Sequence, residues 1–310
     1  MTITRANISA QLVPGLNRIL GISYKENVGQ HKALFEDATS VRAFEEMQMM
    51  TGFGVALNKP EGTSIEYDDA QETFKARWDH DTIALGFVIT EEAMEDNLYE
   101  TKAKFNAGAL GRSMAATKET KAANVFNLGF SSTRVGGDGV ALFSASHPTA
   151  GGTNFSNIVT GNPDLSETAL QTVLVQVQRL TDDRGILINA QAKSLHVAPE
   201  NQFTAAKILE TTLTTITATN SGGITNLNDI NAVKSGKYFP GGYYTNTRFT
   251  DADAWFVKTD VPNGTVMFTR VPLKTAMEGD FNTGNMRYKA RERYSFGWGD
   301  PRQWLGSAGT

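Results

Sequence analysis

Apolar and polar positions change period several times along this 310-residue chain. Near its start, VPGLNRILGISY puts Leu16, Ile19 and Leu20 on one side, with Pro14 close to the N-terminal end, which predicts a short helix. In TSVRAFEEMQMM, Ser40 is a candidate N-cap, and Val41, Phe44 and Met47 follow at three-residue spacing, again helical. Neither segment is long enough to be stable in isolation. Residues 1 to about 50 therefore read as an arm that leans on something else.

From residue 62 the period falls to two. Ile65 and Tyr67 alternate with polar neighbours, Asp68 to Glu72 offers a turn, and Phe74, Ala76 and Trp78 alternate with Lys75, Arg77 and Asp79. This predicts a β-hairpin. Ile83, Leu85, Phe87 and Ile89 then carry the apolar face on odd positions. That phase change calls for a bulge or sharp twist near His80 to Thr82. A lone hairpin is marginal in water, so a projecting one this charged is expected to find its contacts elsewhere. An edge hairpin on the parent sheet fits the same pattern.

The helical period returns at Thr90, a plausible N-cap. Glu91, Glu92, Glu95 and Asp96 crowd the first turns and Lys118 and Lys121 lie near the end, which suits the helix dipole. Met94, Leu98, Phe105, Ala109 and Met114 keep helical spacing up to a stop at Gly129, with Gly108 and Gly111 as points of bending. At about 1.5 Å per residue this helix is roughly 55–60 Å long. Its narrow, Ala-rich stripe suits packing against a sheet. A Gly- and Asn-rich loop follows, and then a helix carrying Leu170, Val173, Leu174, Val177 and Leu180, with Asp164 and Glu167 as a capping box. SLHVAPENQFTAAKILET reads as strand, Pro turn and helix, with Phe203, Ala206, Ile208 and Leu209 apolar. Residues 211–236 are Thr- and Asn-rich and offer little for a core. DADAWFVKTD and GTVMFTRVPL are strands. The tail strand places Met286, Tyr288, Ala290, Tyr294, Phe296 and Trp298 on one face and basic residues on the other.

Composition narrows the chemistry. The hydrophobic share is 40% and the formal net charge is −4, which describes a chain able to bury a core and lacking the basic footprint of a nucleic-acid reader. With no Cys, disulfides and thiolate metal sites are excluded, a composition that tolerates reducing and oxidising surroundings alike. The N-terminus lacks a signal-peptide pattern and no apolar run reaches the roughly 18 residues of a membrane span. A soluble protein made in the cytoplasm is expected. His31, His80, His147 and His196 form no HxxxH or HExxH pattern. Asp79, His80 and Asp81 adjoin in one strand, where neighbours point to opposite faces and cannot converge on an ion. No GxSxG elbow or phosphate loop is present, and the GGDG at 136–139 lacks the strand and helix of a dinucleotide site. A carboxylate pair for glycoside hydrolysis is left open by the many Asp and Glu, none singled out.

GGDGVALFSASHP, Gly136 to Pro148, resembles the Asp-Gly, Ala-Leu-Phe, His-Pro signature of tailed-bacteriophage major capsid (major head) proteins with the Hong Kong 97-like fold. Other parts agree in order. The helix from VITEEAMEDNLYETKAKF onward is similar to that family's spine helix, KSLHVAPENQFTAAKIL to the entry of its axial domain, and FTDADAWFVKTD and RYSFGWGDPRQWLGS to its late strands. The resemblance implies an α+β fold with an N-arm at 1–54 and an extended β-hairpin loop at 55–89. It implies a peripheral domain at 90–190, with the spine helix at 90–128, an axial domain at 191–262, and peripheral C-terminal strands at 263–310.

It further implies a non-enzymatic shell protein without cofactor, catalytic residue or metal. Such a protein self-assembles through pentamers and hexamers into an icosahedral head around double-stranded DNA, held without sequence specificity. It is found in the virion after synthesis in the host cytoplasm, with a triangulation number of seven as the expectation. Portal and decoration proteins are further partners. Because the chain starts almost directly with the arm, a scaffold is expected to be a separate protein. Asp68, Asp69, Glu72, Lys75, Arg77 and Trp78 are the candidate intersubunit contacts, the charged ones setting register more than affinity. Lys75 is also the hairpin lysine in a family some of whose members cross-link their loops. Asp138 and Gly139 make a structural corner that Leu142 and Phe143 anchor, with His147 and Pro148 ending a strand. Two rival readings are an encapsulin-like nanocompartment shell and, from another class, a carbohydrate-acting enzyme or adhesin with a carboxylate-lined cleft.

Overall fold

The computed structural model describes residues 5–27, 29–95, 99–220, 223–280 and 283–309. In chain order the elements are α1 (Arg5–Glu26), α2 (His31–Leu34), β1 (Glu36–Thr39), β2 (Phe44–Met50), β3 (Glu72–Asp79), β4 (Asp81–Ile89), α3 (Glu91–Glu95), α4 (Tyr99–Asn127) and α5 (Glu167–Gln178). They continue with β5 (Ala192–Val197), α6 (Gln202–Glu210), β6 (Leu213–Asn220), β7 (Gly223–Ile230), α7 (Ala232–Ser235), β8 (Tyr243–Thr245), β9 (Trp255–Thr259), β10 (Thr265–Gly279), β11 (Met286–Trp298) and β12 (Trp304–Ser307). Two compact units result. One comprises Met1–Glu45, Trp78–Ala122 and Met267–Phe296, the other Glu46–Arg77, Ala123–Val266 and Gly297–Thr310.

The first unit is built on a four-stranded sheet in the order β1-β10-β11-β4. In β11 the predicted alternation is present: Tyr288, Ala290 and Tyr294 are buried, while Arg287, Lys289 and Arg291 are exposed. Leu16 and Leu20 of α1 and Ala103, Ala107, Leu110 and Met114 of α4 cover the apolar face together with Ile89, Tyr288 and Ala290. Each fully buried Leu contributes about 1.5–3 kcal/mol.

The buried stripe of α4 differs from the predicted one. Phe105 is exposed, and small alanines line the contact instead. Asp96 and Leu98 of the predicted helix lie outside the described residues. Thr90 does act as a cap, accepting a hydrogen bond from Ala93 N at 3.4 Å. Helix α4 runs unbroken through Gly108 and Gly111. These glycines admit α1: a Cβ at Gly111 would sit 2.6 Å from the Leu20 carbonyl oxygen. Helix α1 is longer than predicted, and Pro14 lies exposed in its interior. The arm thus finds its support in its own chain. Asn17 Oδ1 accepts from Thr275 Oγ1 at 2.8 Å and Tyr288 OH at 2.7 Å, and His31 donates its backbone N–H to Glu119 at 2.9 Å.

The second unit centres on the sheet β12-β9-β5-β8, with β5 parallel to β8 and antiparallel to β9. The expected apolar face of α5 (Leu170, Val173, Leu174, Val177) packs with Leu195, Val197, Trp255, Val257 and Leu305. Ser166, not Asp164, is its N-cap, accepting from Ala169 N at 3.1 Å. The last strand, expected among the peripheral strands, pairs with β9 instead. Within residues 211–236, β6 pairs antiparallel with β7, and α7 follows. Their anchor is the buried Asn231, which caps α7 and donates to the carbonyls of Ile208 and Thr211.

His196 of β5 is buried, stacked on Tyr244 at 5.1 Å and 3.0 Å from Ser194 Oγ. Burial, and then the Lys258 charge, push its pKa down from 6.5 to about 3. The unfolded chain therefore takes up a proton near pH 6.5 that the folded chain refuses until about pH 3. Between those values this residue makes stability fall as pH falls, by at most about 1.4 kcal/mol per unit. Urea titrations from pH 6 down to 4 should show a shallower slope for His196→Gln. An unchanged slope would rule out the assignment.

Residues 40–89 depart most from expectation. The predicted helix at 40–50 is strand β2, in which half-buried Glu45, Met47 and Met49 alternate with exposed neighbours. Ser40 caps nothing: its hydroxyl donates to Glu45 at 2.7 Å and meets His80 Nε2 at 2.9 Å. Strand β3 pairs with β2, not with residues 65–67. Asp68 to Glu72 is not a tight turn. Instead residues 51–71 form one long loop, closed where Thr51 N donates to Gln71 O at 2.8 Å. No bulge produces the phase change. The chain leaves one sheet at Asp79 and joins another at Asp81, with buried His80 held between Ser40 and Ser295.

Candidate assembly surface

The 51–71 loop carries no strand or helix, yet it is rich in large apolar side chains left in water: Phe53 is 62% exposed, Val55 74%, Leu57 70% and Tyr67 88%. Isolated exposed apolar residues are ordinary, but a run of them on one limb marks an interaction surface. The odd-position alternation in GFGVALN carries this signal for Phe53, Val55 and Leu57.

The predicted contact residues divide three ways. Asp68 accepts from Gly54 N at 2.7 Å and faces Arg184 at 3.5 Å. The Gly54 N–H, then the Arg184 charge and the Asp69 N–H, hold its carboxyl below the usual range. The Asp69 carbonyl accepts from Arg184 at 2.9 Å. Lys75 pairs with Glu46 of the facing strand at 2.5 Å, and Arg77 reaches the same carboxylate at 3.7 Å. The charges of Asp68, Lys75 and Arg77 therefore have partners within the chain, Arg184 and Glu46, which sequence spacing does not reveal. Glu72 remains exposed at the start of β3. Trp78 is the correction: it is 2% exposed and packs edge-on to Phe268 at 5.3 Å, so its ring is core and not contact surface.

The corner at 136–148 is built from turns, without a strand to end. Gly139 (φ 77°) takes the left-handed position and donates to Gly136 O at 3.1 Å; a side chain there would be strained. His147 is buried, stacked on Phe155 at 4.8 Å, with Nδ1 2.6 Å from Asp138 Oδ2 and Nε2 3.1 Å from Asn157 Oδ1. Asn157 in turn donates to the carbonyls of Leu142 at 2.7 Å and Pro301 at 3.2 Å. Leu142 and Phe143 are buried, and Pro148 is half-buried. The histidine ties the 138 turn to the 155–157 segment.

Among the described residues, no group of His, Asp and Glu fits a metal ion, and no helix is long and apolar enough to cross a membrane. A groove of about 440 Å³ beside α5 is lined by apolar, amide and Lys237 side chains, with no carboxylate among them. It does not match the cleft that a carbohydrate-acting reading requires.

Comparison with known proteins fits this picture of a structural chain. No curated protein matches its sequence. Solved structures share its fold at low identity. The capsid of the cyanophage P-SCSP1u has 12% identity and a TM-score of 0.53, over 89% of this chain and 86% of that one. The capsid of the native GTA particle has 12% identity and 0.53, over 90% of each. The virus-like particle from Pyrococcus furiosus has 10% identity and 0.51, over 94% and 96%. The phage capsid protein family matches residues 75–305, most of the chain. Neither rival reading is favoured, and this chain belongs to the phage capsid protein family, as a major head protein with the Hong Kong 97-like fold.

Proposed function

We propose that this head protein closes its shell through pentamers and hexamers, and that the 51–71 loop is the limb that adjoining copies clasp. On this reading α1 and α2 form an arm held to its own chain, residues 191–262 surround the axes, and the shell encloses double-stranded DNA without reading its sequence. Portal, decoration and separate scaffolding proteins complete the particle, which is made in the host cytoplasm and performs no catalysis. The observation that carries the proposal is the apolar loop that no described residue covers: Phe53, Val55, Leu57 and Tyr67 all stand in water. The modest acidity of the chain suits a container, since a basic wall would hold DNA by counterion release and resist its movement.

Replacing residues 53–69 with a short Gly-Ser linker tests this. The variant is expected to keep its secondary structure by circular dichroism while closed particles in negative-stain micrographs fall at least tenfold. Shells at undiminished yield would remove the loop from the assembly mechanism.

A further inference from the structure

The place where the loop lands on its neighbour is legible in the first unit. Strand β4 is the outer strand of its sheet, and its pairing with β11 runs without a shift from Met286↔Ile89 to Tyr294↔Asp81. Outer strands are usually blunted by lysines, prolines or bulges, because their free N–H and C=O groups template another strand. This one has none of those devices: its sequence is DTIALGFVI, with a single charge, at its first residue. Thr82, Ala84, Leu85, Gly86 and Val88 are exposed.

The two faces of this edge differ. On one, Gly86 and Ala84 stand directly across from Lys289 and Arg291. Both cations are exposed and have no ion-pair partner among the described residues, whereas their neighbour Arg287 pairs with Asp280. On the other face, Ile83 and Phe87 pack on the core while Leu85 between them is 50% exposed. The edge thus asks for a strand with acids on one side and apolar groups on the other.

The loop contains one in SIEYD. In extended form Ile65 and Tyr67 share one face, Glu66 and Asp68 the other. Ile65, Glu66 and Tyr67 are exposed, and Glu66 has no partner among the described residues. We propose that residues 64–68 of a second copy add to the free edge of β4 as a fifth strand, with Glu66 toward Lys289 and Arg291 and with Ile65 and Tyr67 beside Leu85. Neighbouring strands lie about 4.8 Å apart, so Glu66 sits two strands, roughly 10 Å, from the cation row. Extended Lys and Arg side chains span that gap because Ala84 and Gly86 leave it empty. The main-chain ladder supplies affinity and the alternating side chains supply register, as in other strand additions. Packaged nucleic acid is the competing claimant to these cations, but it has no use for a bare strand edge or for Leu85.

This inference rests on the clasping role of the loop and adds its receptor. Treating assembled wild-type particles with a zero-length carbodiimide is expected to join Glu66 to Lys289 between subunits, giving multimers on denaturing gels and the linked peptides by mass spectrometry. Glu66→Gln should abolish that product and leave other cross-links. In a second measurement, Lys289→Glu with Arg291→Glu should lower particle yield at least tenfold, and adding Glu66→Lys should recover part of it. Intact particles that yield other cross-links but never this one would overturn the docking while leaving the shell-forming role untouched. So would particles assembling normally after charge reversal, or Lys289 protected from acetylation only in DNA-filled particles.

Discussion

Phe126→Ala is expected to destabilise the unassembled chain by about 3–5 kcal/mol, the range for removing a large ring from a packed core. Phe126 lies in the last turn of α4, and its ring meets those of Trp304 at 4.7 Å, Phe256 at 5.3 Å, Phe249 at 5.9 Å and Phe143 at 6.3 Å. Phe143 is stacked on Phe256 at 5.0 Å and on Phe130 at 4.9 Å. The cavity cannot close by a shift of Phe143, whose ring is also wedged between two backbones. A Cβ at Gly129 would lie 2.7 Å from that ring and one at Gly306 2.8 Å from it. The site therefore pays both the transfer and the cavity cost. Urea unfolding of Phe126→Ala, with Phe126→Leu as the milder control, measures it. A loss under 1 kcal/mol would mean the aromatic cluster does not organise this unit.

What could be read beforehand follows from how local each signal is. The long helix, α5, and the strands at 192–197, 255–259 and 286–298 carry their pattern within one window, and each lies where its periodicity placed it. Residues 40–50 form a strand because the three-residue spacing of Val41, Phe44 and Met47 is not the face the fold uses: pairing with the distant β3 half-buries Glu45, Met47 and Met49 and leaves Val41 and Phe44 exposed. The predicted hairpin is overturned for a related reason: Ile65 and Tyr67 do alternate, but they lie in the 51–71 loop, and β3 pairs with β2 instead. The stripe of α4 is hard to read in sequence because Ala103 and Ala107 count for little on a hydropathy scale, yet both are buried in one cluster with Leu16 and Leu20 of α1. At the candidate surface, exposure separated Trp78 from the loop residues. Both are aromatic or apolar in alternating runs, and only the fold shows that Phe268 covers one while no described residue covers Tyr67.

The other large effect concerns a charge pair inside the first unit. Lys118 Nζ lies 2.6 Å from Glu292 Oε2, and the Glu292 side chain is only 1% exposed. The ammonium also sits 5.1 Å from the ring centroids of both Tyr24 and Tyr294, and Tyr24 OH donates to the same carboxylate at 3.0 Å. Burial first, and then the charge of Glu292, push the Tyr24 hydroxyl far above its ordinary pKa, so it stays a donor at any working pH. The second oxygen, Glu292 Oε1, is buried without a hydrogen bond among the described residues. Removing only the cation with Lys118→Met leaves a carboxylate with one phenol to support it, and a loss of about 3–5 kcal/mol is expected. Removing both charges with Lys118→Met and Glu292→Leu should restore most of that loss, because the desolvation of two ions is no longer required. The double-mutant cycle, read by urea unfolding at pH 7, separates pairing from packing. Additive losses would show that the aliphatic stem of Lys118, lying between two tyrosine rings, carries the stability and that the ion pair contributes little.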